Sequence, residues 1–193
     1  MKCIKCHKGK ASVFLAHLNH LCTGCAAHII EKRIRKYVRM SRLIQRNDVI
    51  WTADRLAGCI TKGIVKGTPV KWLKKKEKIV NILKNSRNVK AFIRKNGIRK
   101  VIISRTLDDE IAAFMKRALE NGQPEKDDKK IVPLLIKVTD QEAGILAKHH
   151  KVQFKPNQEN REIKDMLDRM EERYPETKFS LLKSAEKIKE MGI

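Results

Sequence analysis

The sequence predicts an α/β fold with an open, mainly parallel sheet, preceded by a small cysteine-rich module. Three observations support this prediction. From about residue 49 onwards, short apolar runs rich in β-branched residues alternate with helical segments, as in parallel sheets with helical crossovers. Four of the five cysteines fall in the first 25 residues. Hydrophobic residues make up 41% of the 193 residues, which is enough to bury a core.

The cysteine-rich module contains two Cys-x2-Cys pairs, Cys3 with Cys6 and Cys22 with Cys25, and fifteen residues separate the pairs. Each pair forms a tight turn that directs two thiolates at one ion, and this spacing is typical of structural zinc sites. We therefore predict that residues 1–30 form a zinc-binding module.

Two other readings of the cysteines stay open. The four thiols would form two disulfides in an oxidising compartment. Alternatively, a nearby histidine replaces one thiolate as a ligand. In either case we expect the segment from Ser12 to Leu21 to form a short hairpin that closes the module. The candidate histidines are His7, His17, His20 and His28.

The charge of the chain is strongly asymmetric. The formal net charge is +22, and residues 1–30 hold four lysines and no acid. Residues 31–105 hold 23 basic and four acidic side chains, whereas residues 106–193 hold 17 basic and 18 acidic side chains. Such a surface binds phosphates in a salt-sensitive way, and the low aromatic content favours recognition of a folded RNA by its shape. No apolar run approaches the length of a membrane span, so we expect a cytoplasmic protein without a membrane partner.

The first predicted helix, from His28 to about Arg46, is amphipathic, and basic residues occupy its polar faces. A basic run containing Trp72 follows further along the chain. These cations are expected to contact RNA phosphates, although solvated helix faces are the simpler alternative. The candidate RNA-binding residues are Lys32, Arg33, Lys36, Arg39, Arg42, Lys74, Lys75 and Lys76.

The next elements follow from local patterns. The apolar run of residues 49–53 is a predicted buried strand, and a helix over residues 54–65 follows it. Gly67-Thr68-Pro69 is a turn. A second helix is predicted over residues 77–95, and it ends at Asn96-Gly97.

The second half of the chain continues the alternation. Residues 98–104 are a second predicted strand, and the capping box from Thr106 to Asp109 begins a helix that ends at Asn121-Gly122. Residues 131–138 are a third predicted strand. Pro133 restricts that strand to a sheet edge or a bulge, because proline donates no hydrogen bond.

The C-terminal region is predicted to be helical. The spacing from Thr139 to Glu142 indicates another capping box, and helices over residues 161–173 and 177–191 follow it. Cys59 stands apart from the other cysteines between Ala57 and Ile60. A lone cysteine among apolar residues is usually a small buried hydrophobe, and the alternative is a sulfur carrier.

Several short motifs, taken in their order, resemble the tRNA 2-thiolation branch of the PP-loop ATP pyrophosphatases. That branch includes the TtuA-type 2-thiouridine synthetases and the cytoplasmic tRNA 2-thiolation protein. The resemblance implies a Rossmann-like (adenine nucleotide alpha hydrolase-like) fold for residues 31–193. It also implies action on tRNA, in which a wobble-region uridine is adenylated and its 2-oxygen is replaced by sulfur. Besides the cysteine pairs, the motifs are Asp48-Val49-Ile50-Trp51-Thr52-Ala53, Leu107-Asp108-Asp109-Glu110, Pro133-Leu134, Asp140-x-Glu142 and Tyr174-Pro175-Glu176-Thr177-Lys178-Phe179.

The chain departs from that family at its catalytic elements. The family's first strand runs into a Ser-Gly-Gly-Lys-Asp-Ser loop that binds ATP phosphates, and here the sequence is Asp54-Arg55-Leu56-Ala57-Gly58-Cys59. Asp54 repels phosphate, and the side chains after it crowd the backbone that a phosphate has to approach. The family's internal Cys-x2-Cys pair, which with a later cysteine holds an iron–sulfur cluster or a persulfide, has no counterpart here. The resemblance therefore implies a shortened, non-catalytic relative that retains zinc and tRNA but not ATP.

Alternative functions remain at this stage. One is an active ATP-dependent tRNA sulfurtransferase that uses Cys59, with Asp108 and Asp109 as remnants of an active site. The other reading of these two acids is stabilisation by a helix dipole. A further alternative is a zinc protein that binds structured RNA in general. The partners implied are tRNA or another structured RNA, together with a catalytic homologous thiolation subunit or a second copy of this chain.

Overall fold

A parallel sheet forms the centre of the protein. The computed structural model describes residues 1–15, 18, 20–73, 86–120 and 130–191, with no side-chain description for residues 86–90. Within these ranges the sheet has the strand order β2-β1-β3-β4, and every neighbouring pair is parallel. The predicted α/β class with a mainly parallel sheet is therefore confirmed. The strands are β1 (Val49–Thr52), β2 (Lys71–Trp72), β3 (Lys100–Thr106) and β4 (Ile131–Leu135).

Helices cover both faces of this sheet, as expected for parallel strands joined by crossovers. Residues Ile50 and Ile102 pack in one core cluster with the first helix, whereas Trp51 and Val101 pack in another cluster on the opposite face. None of the described helices is long and apolar enough to cross a membrane. The helices are α1 (Thr23–Met40), α2 (Arg55–Ile64), α3 (Ser86–Lys95), α4 (Leu107–Leu119), α5 (Asp140–His150), α6 (Arg161–Arg173) and α7 (Thr177–Met191).

Helix α1 differs from its predicted bounds at both ends. It begins directly after Cys22, which occupies the N-cap position, rather than at His28. It ends at Met40 because Arg42 adopts a left-handed conformation with φ of 49°, and the Leu43 amide donates back to the Val38 carbonyl at 3.1 Å. The prediction that the helix continues to Arg46 is wrong, since charge periodicity does not reveal this stop.

Strand β2 was not predicted, because two residues are too few to show an alternating pattern. Lys71 and Trp72 pair with Val49 and Ile50 of β1, so the start of the predicted basic run is a short edge strand. Lys74, Lys75 and Lys76 lie outside the described residues, as does the first part of the helix predicted over residues 77–95. The described part of that helix, α3, is followed by Gly97 with φ of 60°, which agrees with the predicted C-cap.

The position of β4 agrees with the restriction that Pro133 imposes. β4 is an edge strand, and Pro133 lies opposite Ile103 just before the register of the β3–β4 pair shifts. The strand is shorter than predicted because the chain turns after Leu135, where the Val138 amide donates to the Leu135 carbonyl at 2.8 Å. The capping boxes at Thr106 and Thr139 are both present, and α6 and α7 have their predicted bounds.

The cysteine module shares its core with the α/β domain. Cys3, Val13 and Leu21 are buried in the same cluster as Ile30 and Ile34 of α1. An antiparallel bridge between Val13 and Leu21 closes the loop between the two cysteine pairs, as predicted for the hairpin. Disruption of the module therefore exposes part of the main core.

Candidate functional site

The four paired cysteines converge on one point. Their sulfur atoms all lie within 4.8 Å of one another, and the Sγ atoms of Cys6 and Cys22 are 3.9 Å apart. A tetrahedral ion with zinc–sulfur bonds of about 2.3 Å holds its four sulfurs about 3.8 Å apart. The arrangement of Cys3, Cys6, Cys22 and Cys25 thus fits a single tetrahedral metal ion. All four are free thiols, and among the described residues no histidine belongs to the cluster.

Gly9 allows the two cysteine turns to approach each other. A Cβ at this position would lie 3.1 Å from the Cβ of Cys22 and 3.3 Å from its Sγ, closer than ordinary contact. The first turn is held by the Cys3 amide, which donates to the Gly9 carbonyl at 2.8 Å. A glycine three residues after Cys6 is therefore the sequence signal for this centre that spacing alone did not reveal.

The four thiols of the cluster differ in how readily they ionise. Burial alone would raise the pKa of Cys3, but the backbone N–H groups of Cys6, Cys22 and Lys5 outweigh it and lower that pKa to about 6. Burial and the adjacent thiols of Cys22 and Cys3 raise the pKa of Cys25 to about 12. Because thiolates so close together repel one another, full ionisation of the cluster requires a bound cation.

A cavity of about 580 Å³ opens at the carboxyl ends of β1 and β3. Its walls include Ala53 and Asp54 after β1, and Ser104 and Arg105 in β3. In a sheet of order 2-1-3-4 the crossovers leave these two strands in opposite directions, which creates a crevice between them. Open α/β sheets bind their ligands at this point.

The end of this cavity next to α2 is occupied by the carboxylate of Asp54. Asp54 is the N-cap of α2 and accepts a hydrogen bond from the Ala57 amide at 2.8 Å. It also accepts from the Ser104 hydroxyl at 2.6 Å and the Ser104 amide at 3.0 Å. A phosphate bound at a helix N-terminus uses such amide donors, and here the chain's own carboxylate already uses the Ala57 amide of α2.

The predicted catalytic acids are paired with lysines. Asp108 is buried against Lys178 and accepts from the Asp140 amide at 2.7 Å, while Lys178 also contacts Asp168. Burial alone lowers the pKa of Lys178, but the two carboxylates raise it above its ordinary value. Burial raises the pKa of the Asp108 carboxyl, and the Lys178 ammonium opposes that shift without cancelling it.

Asp109 forms a second carboxylate–lysine ion pair, with Lys164. Its carboxylate lies 2.5 Å from the Nζ of Lys164, and Lys164 also donates to Asp140 at 3.0 Å and to the Asn157 carbonyl at 3.0 Å. The other Asp109 oxygen accepts from the Thr106 amide at 3.0 Å within the capping box. Asp109 lines the cavity, but its oxygens are committed to the fold. Sequence reasoning missed Lys164, and it quoted Lys178 only within the Tyr174–Phe179 motif, without predicting its pairing with Asp108.

No model of a protein family matches the chain, and no curated protein matches its sequence. Among solved structures, the U34-tRNA thiolase NcsA from Methanococcus maripaludis with its [4Fe-4S] cluster superimposes with a TM-score of 0.66 and 19% sequence identity. The match covers 97% of this chain and 87% of the thiolase. The chain has the fold of a tRNA thiolase. The resemblance to PP-loop thiolation proteins is thus confirmed at the level of the fold.

Relative to this thiolase fold, Cys59 occupies the helix that follows the first strand. It lies within α2, is partly buried, and is not one of the residues that line the cavity. Leu56 and Ala57, at the start of the same helix, are buried in the core. The geometry therefore favours packing over sulfur transfer for Cys59.

The exposed face of α1 carries part of the predicted RNA-binding set. Lys32, Lys36 and Arg39 are exposed, and their spacing of four and three residues places them on one side of the helix. Arg42, just beyond the helix, is also exposed. Arg33 points inward, where it donates to Glu142 at 2.8 Å and to the Lys137 carbonyl at 3.1 Å.

Proposed function

We propose that this chain is a zinc-containing tRNA-binding protein that assists wobble-uridine 2-thiolation without catalysing it, as an accessory or partner of an active enzyme. The fold similarity to a U34-tRNA thiolase supports a role in tRNA thiolation. The observation that carries the non-catalytic part is the Asp54 carboxylate, which occupies the N-terminus of α2 beside the cavity.

The loss of catalysis follows from the position of this carboxylate. Adenylation of a uridine requires ATP, whose phosphates need backbone N–H donors and positive potential. At the N-terminus of α2, the Ala57 amide donates to Asp54 instead, and so does the Ser104 amide of the neighbouring strand β3. A polyphosphate placed there would meet a negative charge and lose these donors. The Asp54 carboxylate therefore weakens ATP binding at the start of α2, where the resemblance to the family places the ATP phosphates.

Zinc is a better match than an iron–sulfur cluster for the thiol centre. The solved thiolase contains a [4Fe-4S] cluster, but the present chain has five cysteines in total. Four of them form the compact centre, whose 3.9 Å sulfur separation suits one ion. In a four-iron cluster each cysteine binds a different iron, so the inorganic core holds the cysteine sulfurs further apart. Cys59 alone is insufficient to hold a separate cluster.

RNA binding is supported by the distribution of charge. The four lysines of residues 1–30 are exposed, and no acid accompanies them in that segment. Helix α1 leaves this module and carries Lys32, Lys36 and Arg39 on one exposed side. A continuous set of cations on a rigid helix is suited to the phosphates of a folded RNA.

Removal of these cations tests the RNA-binding part of the proposal. Each replacement of Lys32, Lys36 or Arg39 by Gln is expected to weaken binding of different tRNAs similarly, because phosphates carry no sequence information. Each should also lower the slope of log affinity against log salt by about one unit. The measurement is a salt titration of tRNA binding by the metal-loaded protein.

A matched control and a competition complete this test. Lys183→Gln removes an exposed lysine from α7, in the half of the chain without excess positive charge, and should leave the slope unchanged. Unlabelled tRNA, duplex DNA and ribosomal RNA fragments serve as competitors. Equal competition by all three nucleic acids would contradict a tRNA-specific role, and an unchanged slope in the α1 variants would contradict the assignment of the surface.

A further inference from the structure

Among the described residues of the cysteine module, Phe14 presents its phenyl ring to solvent. Phe14 is 64% exposed, although it lies next to the buried Val13 in the hairpin that closes the module. The ring of His20 stands edge-on to it, with centroids 5.9 Å apart and planes at 89°. A ring exposed to this extent leaves much of its surface open to contact with a ligand.

The backbone fixes the place of these two rings. His20 has a positive φ of 60°, and its carbonyl accepts from the Ile4 amide of the first cysteine turn at 3.0 Å. The Val13 amide donates to the Leu21 carbonyl at 3.0 Å on the other side of the hairpin. The Phe14–His20 pair is thus attached to backbone that these hydrogen bonds tie to the first cysteine turn and to the other side of the hairpin. Little conformational entropy is lost when a ligand covers such a ring.

The module that contains the Phe14–His20 pair is positively charged. Lys2, Lys5, Lys8 and Lys10 are all exposed, and residues 1–30 contain no carboxylate side chain. A ligand that places an apolar planar group on Phe14 and carries negative charge around it complements this surface. A nucleotide in an unpaired stretch of RNA has both properties, because its base stacks while its flanking phosphates meet the lysines.

We propose that the Phe14–His20 pair is a stacking site for one unpaired RNA base. The proposal rests on the proposed function, since it assigns a contact within the RNA complex. It divides recognition in two: the cations of α1 contact phosphates of any folded RNA, and Phe14 selects RNA with an unpaired base at the correct distance. The alternative occupant of an exposed aromatic residue is another protein, and the following test separates the two.

The test uses the full, metal-loaded chain and two RNA probes. One is a hairpin RNA with 2-aminopurine in its loop, and the other is a blunt duplex RNA with the same number of phosphates. Phe14→Ala and Phe14→Leu are expected to weaken hairpin binding roughly 5- to 150-fold and to abolish the fluorescence change of the loop base. Phe14→Tyr should retain both, because it retains a ring. Duplex binding should be unaffected.

The control is Leu119→Ala, which removes an equally exposed apolar side chain from α4 and should leave binding to both probes unchanged. Equal hairpin affinity in all Phe14 variants would overturn the stacking site, and so would equal loss for hairpin and duplex. If the Phe14 variants lose self-association in sedimentation while keeping RNA affinity, Phe14 is a protein contact and the proposal is wrong. Failure of the unmodified protein to bind either RNA would instead remove the proposed function itself.

Discussion

Replacement of Cys22 by Ser is expected to release the metal ion and to unfold the cysteine module together with the start of α1. Cys22 supplies one of the four converging sulfurs and stands directly before α1, so loss of the metal acts on the start of this helix even though serine is itself a good N-cap residue. Structural zinc sites contribute about 10–16 kcal/mol of apparent binding free energy, which becomes folding free energy when the site forms with the fold. Metal analysis and amide hydrogen exchange of residues 1–40 measure both effects.

The loss should extend beyond the module because its residues share the main core. Cys3 and Leu21 are buried with Ile30 and Ile34 of α1, so exposure of the module also exposes this helix. Cys59→Ser is the matched control, since Cys59 lies outside the thiol centre, and it should retain one zinc per chain. A Cys22→Ser protein with full zinc content and unchanged hydrogen exchange would contradict this account, and so would iron in the unmodified protein.

Lys178→Ala should reduce the free energy of unfolding by about 3–5 kcal/mol, the cost of leaving a buried charge without its partner. Lys178 is 3% exposed and Asp108 is 2% exposed, so water does not replace the lost ammonium. The pair joins α4 to α7, and Lys178 also contacts Asp168 of α6. Urea unfolding measures the difference.

Two further variants show whether the effect belongs to the pair. Lys183→Ala, an exposed position in the same helix, should change the free energy of unfolding only slightly. The double variant Lys178→Met with Asp108→Asn removes both charges. Its loss in free energy of unfolding should be smaller than the sum of the losses in Lys178→Met alone and Asp108→Asn alone. A cost below about 1 kcal/mol for Lys178→Ala would show that the pair contributes little to the fold.

Local signals predicted the parts of the structure that depend on neighbours in sequence. The two Cys-x2-Cys pairs predicted the thiol centre because each turn is set by a few residues. The capping boxes at Thr106 and Thr139 gave the starts of α4 and α5 for the same reason. The Asn96-Gly97 stop was also predicted, and Gly97 has the left-handed φ that such a C-cap uses.

Contacts between distant residues were not predictable in this way. Asp54 and Ser104 are 50 positions apart, and Asp108 and Lys178 are 70 positions apart. Only the folded chain shows that the first pair meets beside the N-terminus of α2 and that the second pair takes Asp108, a predicted remnant of an active site, into the core. The resemblance to thiolation proteins suggested that Asp54 disfavours phosphate, and the structure supplies the physical reason through its three hydrogen bonds.

The most direct test of the central claim measures tRNA and Mg-ATP binding on one zinc-loaded preparation, for example by calorimetry, with ATP hydrolysis followed after tRNA is added. The account predicts salt-sensitive tRNA binding, no measurable heat of ATP binding and no hydrolysis, because the Asp54 carboxylate holds the amide donors that a triphosphate requires. Saturable ATP binding with tRNA-stimulated hydrolysis would contradict it.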